Sequence, residues 1–391
     1  MKCKLKDFCT VINGRAYSQK ELLDKGKYRV LRVGNFFSSD RWYFSDLELP
    51  AEKYCNKGDL LFAWACSFGP RIWNGEDRTI FHYHIWKLDI DSDIVDKMYL
   101  FYLLKISVDS MTAGTHGSVM MHITKSDMEN FEFDIPSLDV QKKIAAILSA
   151  LDEKIAINRA INENLEQQIS EIYRVWYQKY VCAVGLPLVE SEYGLIPQGW
   201  HYSLVGELCK SISISHKFDA EKLIFLNTGD IEDGRFLHAN YMAVSDMPGQ
   251  AKKTILPGDI LYSEIRPINK HYAYVTFPSE DYVVSTKLMV IRASGIDSRR
   301  LYHYLTTEDV ITKLQMEAES RSGTFPQIRF DNISKLPILI ADDVTEAAFT
   351  TLLHTVYDQI EYNNSENEKL ASLRDSLLPR LISGEIDVSA V

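Results

Sequence analysis

Ile144, Leu148, Leu151, Ile155, Asn158, Asn162, Leu165, Ile169, Ile172 and Trp176 step along the chain by alternating fours and threes. That spacing puts one stripe of side chains along a helix and is the seam of a heptad repeat. Adding 205 to each number gives Phe349, Leu353, Val356, Ile360, Asn363, Asn367, Leu370, Arg374, Leu377 and Leu381. The stripe returns without a gap, and both asparagine positions return with it. The chain is therefore two similar units in tandem, each ending in a long helix. A protein built as its own pseudo-dimer suits a partner of similar symmetry.

Five segments follow from this reading: mixed and strand-rich 1–136, a first long helix in 137–180, a linker in 181–194, a second mixed segment in 195–341, and a second long helix with its tail in 342–391. The mixed segments match more loosely. Lys57-Gly58-Asp59-Leu60-Leu61 answers to Pro257-Gly258-Asp259-Ile260-Leu261, a turn feeding a buried strand. Arg32-Val33-Gly34-Asn35 answers to Asn227-Thr228-Gly229-Asp230, and Gly114-Thr115 to Gly323-Thr324. The offset drifts in these segments and is constant in the helices, so loop lengths vary while helix geometry is kept. Short helices are expected at 97–107 and 298–317. The fold class is mixed α/β: two similar α/β domains in tandem, separated and joined by two long antiparallel, coiled-coil-like helices in a pseudo-two-fold arrangement.

Each helix is about 40 residues, or about 60 Å at roughly 1.5 Å per residue. An apolar stripe of that length needs a partner, and the other helix is the obvious one. The seam residues are Leu148, Leu151, Ile155, Asn158, Asn162 and Leu165 on the first helix, and Leu353, Val356, Ile360, Asn363, Asn367 and Leu370 on the second. Polar residues mid-seam cost stability but set register. Arg374 stands where the repeat calls for an apolar residue, and Pro379 is expected to end or kink the second helix near Leu378.

The chain has 391 residues, with 46% hydrophobic and 25% charged content, as in an ordinary globular protein. No uncharged apolar run is long enough for a bilayer, and no signal-peptide core follows Met1, so a cytoplasmic location is expected. Six cysteines form no CxxC pair and read as reduced packing residues. The net charge of −11 is uneven: −1 over 1–136, −2 over 137–194, −1 over 195–340 and −7 over 341–391. The near-neutral mixed segments leave room for a local basic face.

Motifs for catalysis are missing: no GxxxxGK[ST], GxGxxG, HExxH or GxSxG, and no Pro-Pro-aromatic site of amino-methylating enzymes. His82 and His84 would share one strand face, which reads as packing in the absence of a third metal ligand. A non-enzymatic role is expected, with no metal and no catalytic residue. Candidate DNA contacts in the first segment are Arg15, Tyr17, Arg41, Arg71, Thr115, His116 and Ser118, with Trp42, Tyr43, Trp73 and Arg78 beside them. In the second they are Lys217, Arg266, Lys270, Lys287, Arg321, Thr324 and Gln327, with Lys252, Lys253 and Ser322. Arginine and lysine neutralise phosphates or meet guanine edges, and glutamine pairs with adenine. The small polar loops 113–118 and 321–327 hold matching places just before the strand that leads into each helix.

Asp134-Ile135-Pro136-Ser137-Leu138-Asp139-Val140-Gln141-Lys142-Lys143-Ile144 resembles the entry to the central helix of the specificity subunits of Type I restriction-modification systems. Ile196-Pro197-Gln198-Gly199-Trp200 resembles that family's opening to its second recognition domain. Asn363 to Leu370 and Leu377-Leu378-Pro379-Arg380-Leu381-Ile382-Ser383-Gly384-Glu385-Ile386 resemble its C-terminal region. Ala341-Asp342-Asp343-Val344-Thr345-Glu346 departs from the first helix's Pro136 and Gln141. The resemblance implies two target-recognition domains, each reading half of a split, asymmetric site in double-stranded DNA. It implies helices that set the gap and dock two modification (methyltransferase) subunits, with restriction (translocase and nuclease) subunits added. S-adenosylmethionine, ATP and Mg are then expected on those partners and no cofactor on this chain. The alternative is a helical scaffold that binds no DNA.

Overall fold

A computed structural model of the chain describes residues 1–37, 41–65, 67–112, 122–321 and 325–388. The chain divides into two compact units, Met1–Arg159 with Asn364–Val391, and Ala160–Asn363. The boundary falls inside both long helices, Leu138–Tyr177 and Asp343–Ile382, each of 40 residues.

Among the described residues, unit 1 holds two four-stranded sheets and a two-stranded one. The first runs in the order Cys9–Asn13, Ile85–Ile90, Leu60–Ala65, Ser67–Ile72, all antiparallel. The second runs Tyr43–Ser45, Tyr28–Leu31, Thr79–Phe81, Tyr54–Cys55, with its middle pair parallel. Lys2–Lys4 pairs with Glu132–Asp134 and brings the chain back to the start of the long helix. Leu60, Leu61, Phe62 and Ala63 are all buried, as a central strand covered on both faces requires.

Unit 2 repeats this plan strand by strand. Cys209–Ile212, Leu288–Ala293, Ile260–Ser263 and Tyr272–Tyr274 form the antiparallel sheet. Tyr241–Ala243, Lys222–Leu226, Tyr282–Ser285 and Ala251–Lys253 form the second sheet, again with a parallel middle pair. His201–Leu204 pairs with Pro337–Ile340 ahead of the second long helix. Two short hairpins, Leu188–Ser191 with Gly194–Pro197 and Ile231–Glu232 with Arg235–Phe236, have no counterpart among the described residues of unit 1.

The Gly-Asp turn is the same object in both units. Gly58 and Gly258 both sit at φ +92°, a left-handed backbone that glycine adopts without strain. Asp59 Oδ2 accepts from the Asn56 N–H at 2.9 Å, and Asp259 Oδ2 from the Leu256 N–H at 2.8 Å. Each aspartate also faces a cation from the sheet: Lys87 at 3.7 Å, and Arg292 in a two-pronged pair at 2.6 and 2.8 Å.

In each unit the helix segments run antiparallel. Unit 1 packs Ile144 and Leu148 into one core cluster with Leu378 and Leu381. Unit 2 packs Ile169, Tyr173 and Tyr177 with Phe349, Leu353, Val356 and Ile360. Leu151, Leu165, Asn367 and Leu370 are half-buried beside these cores. The asparagines meet across the helices as one pair per unit. Asn158 Nδ2 donates to Asn367 Oδ1 at 3.0 Å in unit 1, and Asn363 Nδ2 donates to Asn162 Oδ1 at 2.7 Å in unit 2. Under the 205-residue offset each pair maps onto the other, which is the exchange expected of a self-complementary contact.

Three expectations need correction. The second long helix does not end at Leu378. It runs through Pro379 to Ile382 because Leu378 and Leu381 are buried in the unit 1 core, and it stops at left-handed Gly384. Residues 298–317 are two helices, Ser298–Leu305 and Glu308–Arg321. Thr306 and Thr307 interrupt them, their hydroxyls donating to the carbonyls of Tyr302 and Tyr304, both at 2.9 Å. His82 and His84 do not share one strand face: His82 ends the pairing of Thr79–Phe81 in a bridge to Arg15, and His84 lies in the turn to Ile85–Ile90, where the chain crosses between sheets. The helix expected at 97–107 spans Lys97–Thr112.

Both helix starts are tied to their own unit, with different chemistry. Gln141 donates to the carbonyls of Pro136 at 2.9 Å and Ile94 at 3.2 Å, and accepts from the Asp96 N–H at 2.9 Å. Glu346, 205 residues on, accepts from the Ala341 N–H at 2.9 Å and from Arg300 at 3.3 Å. Arg300 is fully buried, stacked 4.3 Å from the Tyr177 ring centroid and donating to the Leu339 carbonyl at 3.0 Å. Asp342 accepts from the N–H groups of Val344 and Thr345, which caps this helix where the sequence departs from the first.

Candidate nucleic-acid interface

Unit 1 presents arginines laid over aromatic rings. Arg41 and Arg32 lie over Tyr43, 5.4 and 5.0 Å from its centroid, and Arg29 lies 5.4 Å from Trp42. Arg78, at φ +56°, covers Tyr54 and Tyr28. Stacking holds the guanidinium planes, and two of them are also engaged within the unit: Arg29 faces Glu76 at 3.1 Å, and Arg78 donates to the Tyr28 hydroxyl at 3.1 Å and faces Glu48 at 3.7 Å. Arg15 pairs with Glu21 at 2.7 Å and lies 5.2 Å from the Tyr17 ring, and Arg71 donates to the Phe36 carbonyl. Burial raises the Tyr17 hydroxyl's pKa, so it stays protonated. Trp73 is buried, with its indole N–H donating to the Glu76 carbonyl, and belongs to the core.

Next to this face is a cluster of rings. Trp64 stands 5.3 Å from His84 and 6.5 Å from His122, and His82 is 4.9 Å from His84. Burial, then the neighbouring His84 and Arg32, lower the His82 pKa to about 4; burial also lowers that of His84. Both are neutral at pH 7, each with one donor and one acceptor. Among the described residues no group of three or more His, Cys, Asp or Glu could hold a metal ion.

In unit 2 the fold gathers Arg266, Lys287 and Gln327. The Arg266 N–H donates to the Pro326 carbonyl at 3.2 Å, and Ile265 bridges to Gln327. Lys287 Nζ is 3.4 Å from Glu264. Arg266 and Lys270 flank the short turn Pro267–Asn269, both left-handed at φ +43° and +55°. Lys270 also pairs with Glu308. Lys217 is exposed, and Lys253 is partly buried, donating to the Thr286 and Leu288 carbonyls. Thr115, His116, Ser118 and Thr324 lie outside the described residues, as does the side chain of Arg321.

The sequence reading did not single out Arg29, Trp64, His122 or Glu264; it took His84 as packing and Arg32 only as part of the repeat. Trp64 and Glu264 stand at the ends of the strands that follow the two Gly-Asp turns, and the repeat itself was the signal that could have found them. No helix among the described residues is long and apolar enough to cross a membrane.

The family model for the Type I restriction modification DNA specificity domain matches residues 1–167 and again 197–372. Over 181 residues the chain is 41% identical to the Type I restriction enzyme HindI specificity subunit of Haemophilus influenzae, covering 46% of this chain and 39% of that protein. Over 351 residues it is 24% identical to the MjaVIII specificity subunit of Methanocaldococcus jannaschii, covering 85% of this chain and 80% of that one. The crystal structure of a Type I restriction-modification S subunit from M. genitalium shares the fold, with a TM-score of 0.58 at 15% identity over 97% of this chain and 95% of that one. With its two matched regions and its twice-repeated sheet plan, the chain belongs to the Type I restriction modification DNA specificity domain family.

Proposed function

We propose that this chain is the non-catalytic specificity subunit of a Type I restriction-modification complex. Each unit's mixed domain reads one half of a bipartite, asymmetric DNA site. The observation that carries this reading is the repeat: one sheet plan used twice, with different polar side chains at matching places. A split site with two different halves is what such a duplicated reader takes. Arginine and lysine supply phosphate contacts, and the ring cluster and Gln327 supply base contacts.

The long helices set the unread gap and dock two modification subunits, which bring S-adenosylmethionine and methylate adenine. Restriction subunits add ATP- and Mg-dependent translocation and cleavage, and this chain works in the cytoplasm without a cofactor of its own. A scaffold that binds no DNA is disfavoured, because the family match covers both mixed segments as well as much of the helices.

The test is sequencing for methylated adenine in cells carrying this chain and its modification subunit, against a deletion of this chain. A split methylated motif that vanishes on deletion is expected. An unchanged pattern with an active modification subunit overturns the reading.

A further inference from the structure

Three segments meet at the same place in each repeat. In unit 1 the Trp64 N–H donates to the His84 carbonyl at 3.1 Å, the Trp64 carbonyl accepts from Ile123 at 3.2 Å, and Ala65 bridges to His122. In unit 2 the Glu264 N–H donates to the Lys287 carbonyl at 3.0 Å, the Glu264 carbonyl accepts from Ile328 at 2.8 Å, and Ile265 bridges to Gln327. Bond for bond, the backbone junction is the same.

Three of the buried apolar side chains at this junction are kept in kind. Leu60 matches Ile260, Leu61 matches Leu261 and Ile123 matches Ile328, all with at most 1% exposure. The polar side chains beside them change class. Trp64, His84 and His122 stand where unit 2 has Glu264, Lys287 and Gln327. Packing alone keeps the buried positions apolar and leaves the half-buried polar ones free to differ; two readers of different sequence would use that freedom here.

The chemistry differs accordingly. The Trp64 indole N–H is already donated to the Tyr83 carbonyl at 2.7 Å, so the ring offers only its apolar surface. His84 adds an uncharged imidazole. Unit 2 instead offers an ammonium held near Glu264 and the half-buried amide of Gln327.

Resting on the DNA-reading function above, we propose that this junction is where each unit reads base edges. Residues 64, 84 and 122 set the first half-site, and residues 264, 287 and 327 set the second. Gln327 pairs with an adenine edge through its amide, Lys287 meets a guanine edge, and the indole of Trp64 meets a thymine methyl.

The test uses the full chain assembled with its modification subunits, reading the methylated sites and the binding to duplexes that vary one base pair at a time. Gln327→Ala is expected to lower discrimination by about ten-fold at one base pair of the second half-site and to leave the first half-site and the gap unchanged. His84→Ala should do the reverse. The untouched half-site reports that the variant is folded, and Gln327→His serves where the alanine variant fails to assemble. Wild-type discrimination at every position overturns the proposal, as does an assembled variant that binds no duplex, since that makes the residue a source of affinity alone. A wild-type complex with active modification subunits and no methylated site sinks the DNA-reading function along with it.

Discussion

His303 is buried against the rings of Tyr173 and Phe349, with Tyr357 Oη 3.0 Å from its Nδ1. Burial, helped by Arg300, lowers its pKa from 6.5 to about 3. The folded state therefore keeps this ring neutral, while the unfolded chain takes up a proton below about pH 6.5. The unfolded state binds more protons between pH 6.5 and 3, so stability falls as the pH falls through that window. His303→Phe should flatten the acid limb of thermal stability by the slope of one proton, about 1.4 kcal/mol per pH unit. Melting curves from pH 4 to 7 check this, and an unchanged slope would refute it. Gly58 has open space around its missing Cβ, so only its backbone angle is at stake. Gly58→Ala should cost about 1–2 kcal/mol in denaturant unfolding. Gly258→Ala should cost a similar amount, because the turn is the same.

Each long helix spends part of its seam on asparagine. Asn162 and Asn363 are nearly inaccessible to solvent, and Gln359 also donates to Asn363 at 2.9 Å. Replacing one partner leaves a buried amide without its mate. Asn363→Leu should destabilise the protein by about 1–3 kcal/mol, and Asn162→Leu with Asn363→Leu should recover most of that. A double variant no more stable than the single would count against a register role for the pair. Arg374 breaks the apolar pattern and yet holds its element: it donates to Asp152 at 2.5 Å from a largely buried position. One helical turn inserted into both long helices should change the tolerated gap and leave both half-sites as they were, read by methylation sequencing. Altered half-sites would end the idea that the helices act as a ruler.

Along the chain the acidity is concentrated in the C-terminal segment: residues 341–391 hold −7 of the net −11, while the two mixed segments are near neutral. The reading domains thus avoid strong repulsion from phosphate even in an acidic protein. Because the repeat separates the two readers, replacing residues 1–136 with another recognition domain should change one half-site only. Changes at both halves would refute the modular reading.

The two-unit plan, the pairing of the helices and the family were all legible in the residues. A heptad seam is a local pattern, and duplication leaves it at a constant offset whatever the loops do. The Gly-Asp turns were legible for the same reason, since a left-handed glycine before a strand is a short-range signal. The polar junction was not. Trp64, His84 and His122 are scattered through the sequence and meet only because strand pairing and the turn at His82–His84 bring three segments to one strand end. The same holds for Arg32 and Arg41 over Tyr43, for Lys253 turned inward, and for the last turn of the second helix past Pro379. Local periodicity identifies elements; which polar groups converge depends on the order of strands in a sheet, and only the folded chain decides that.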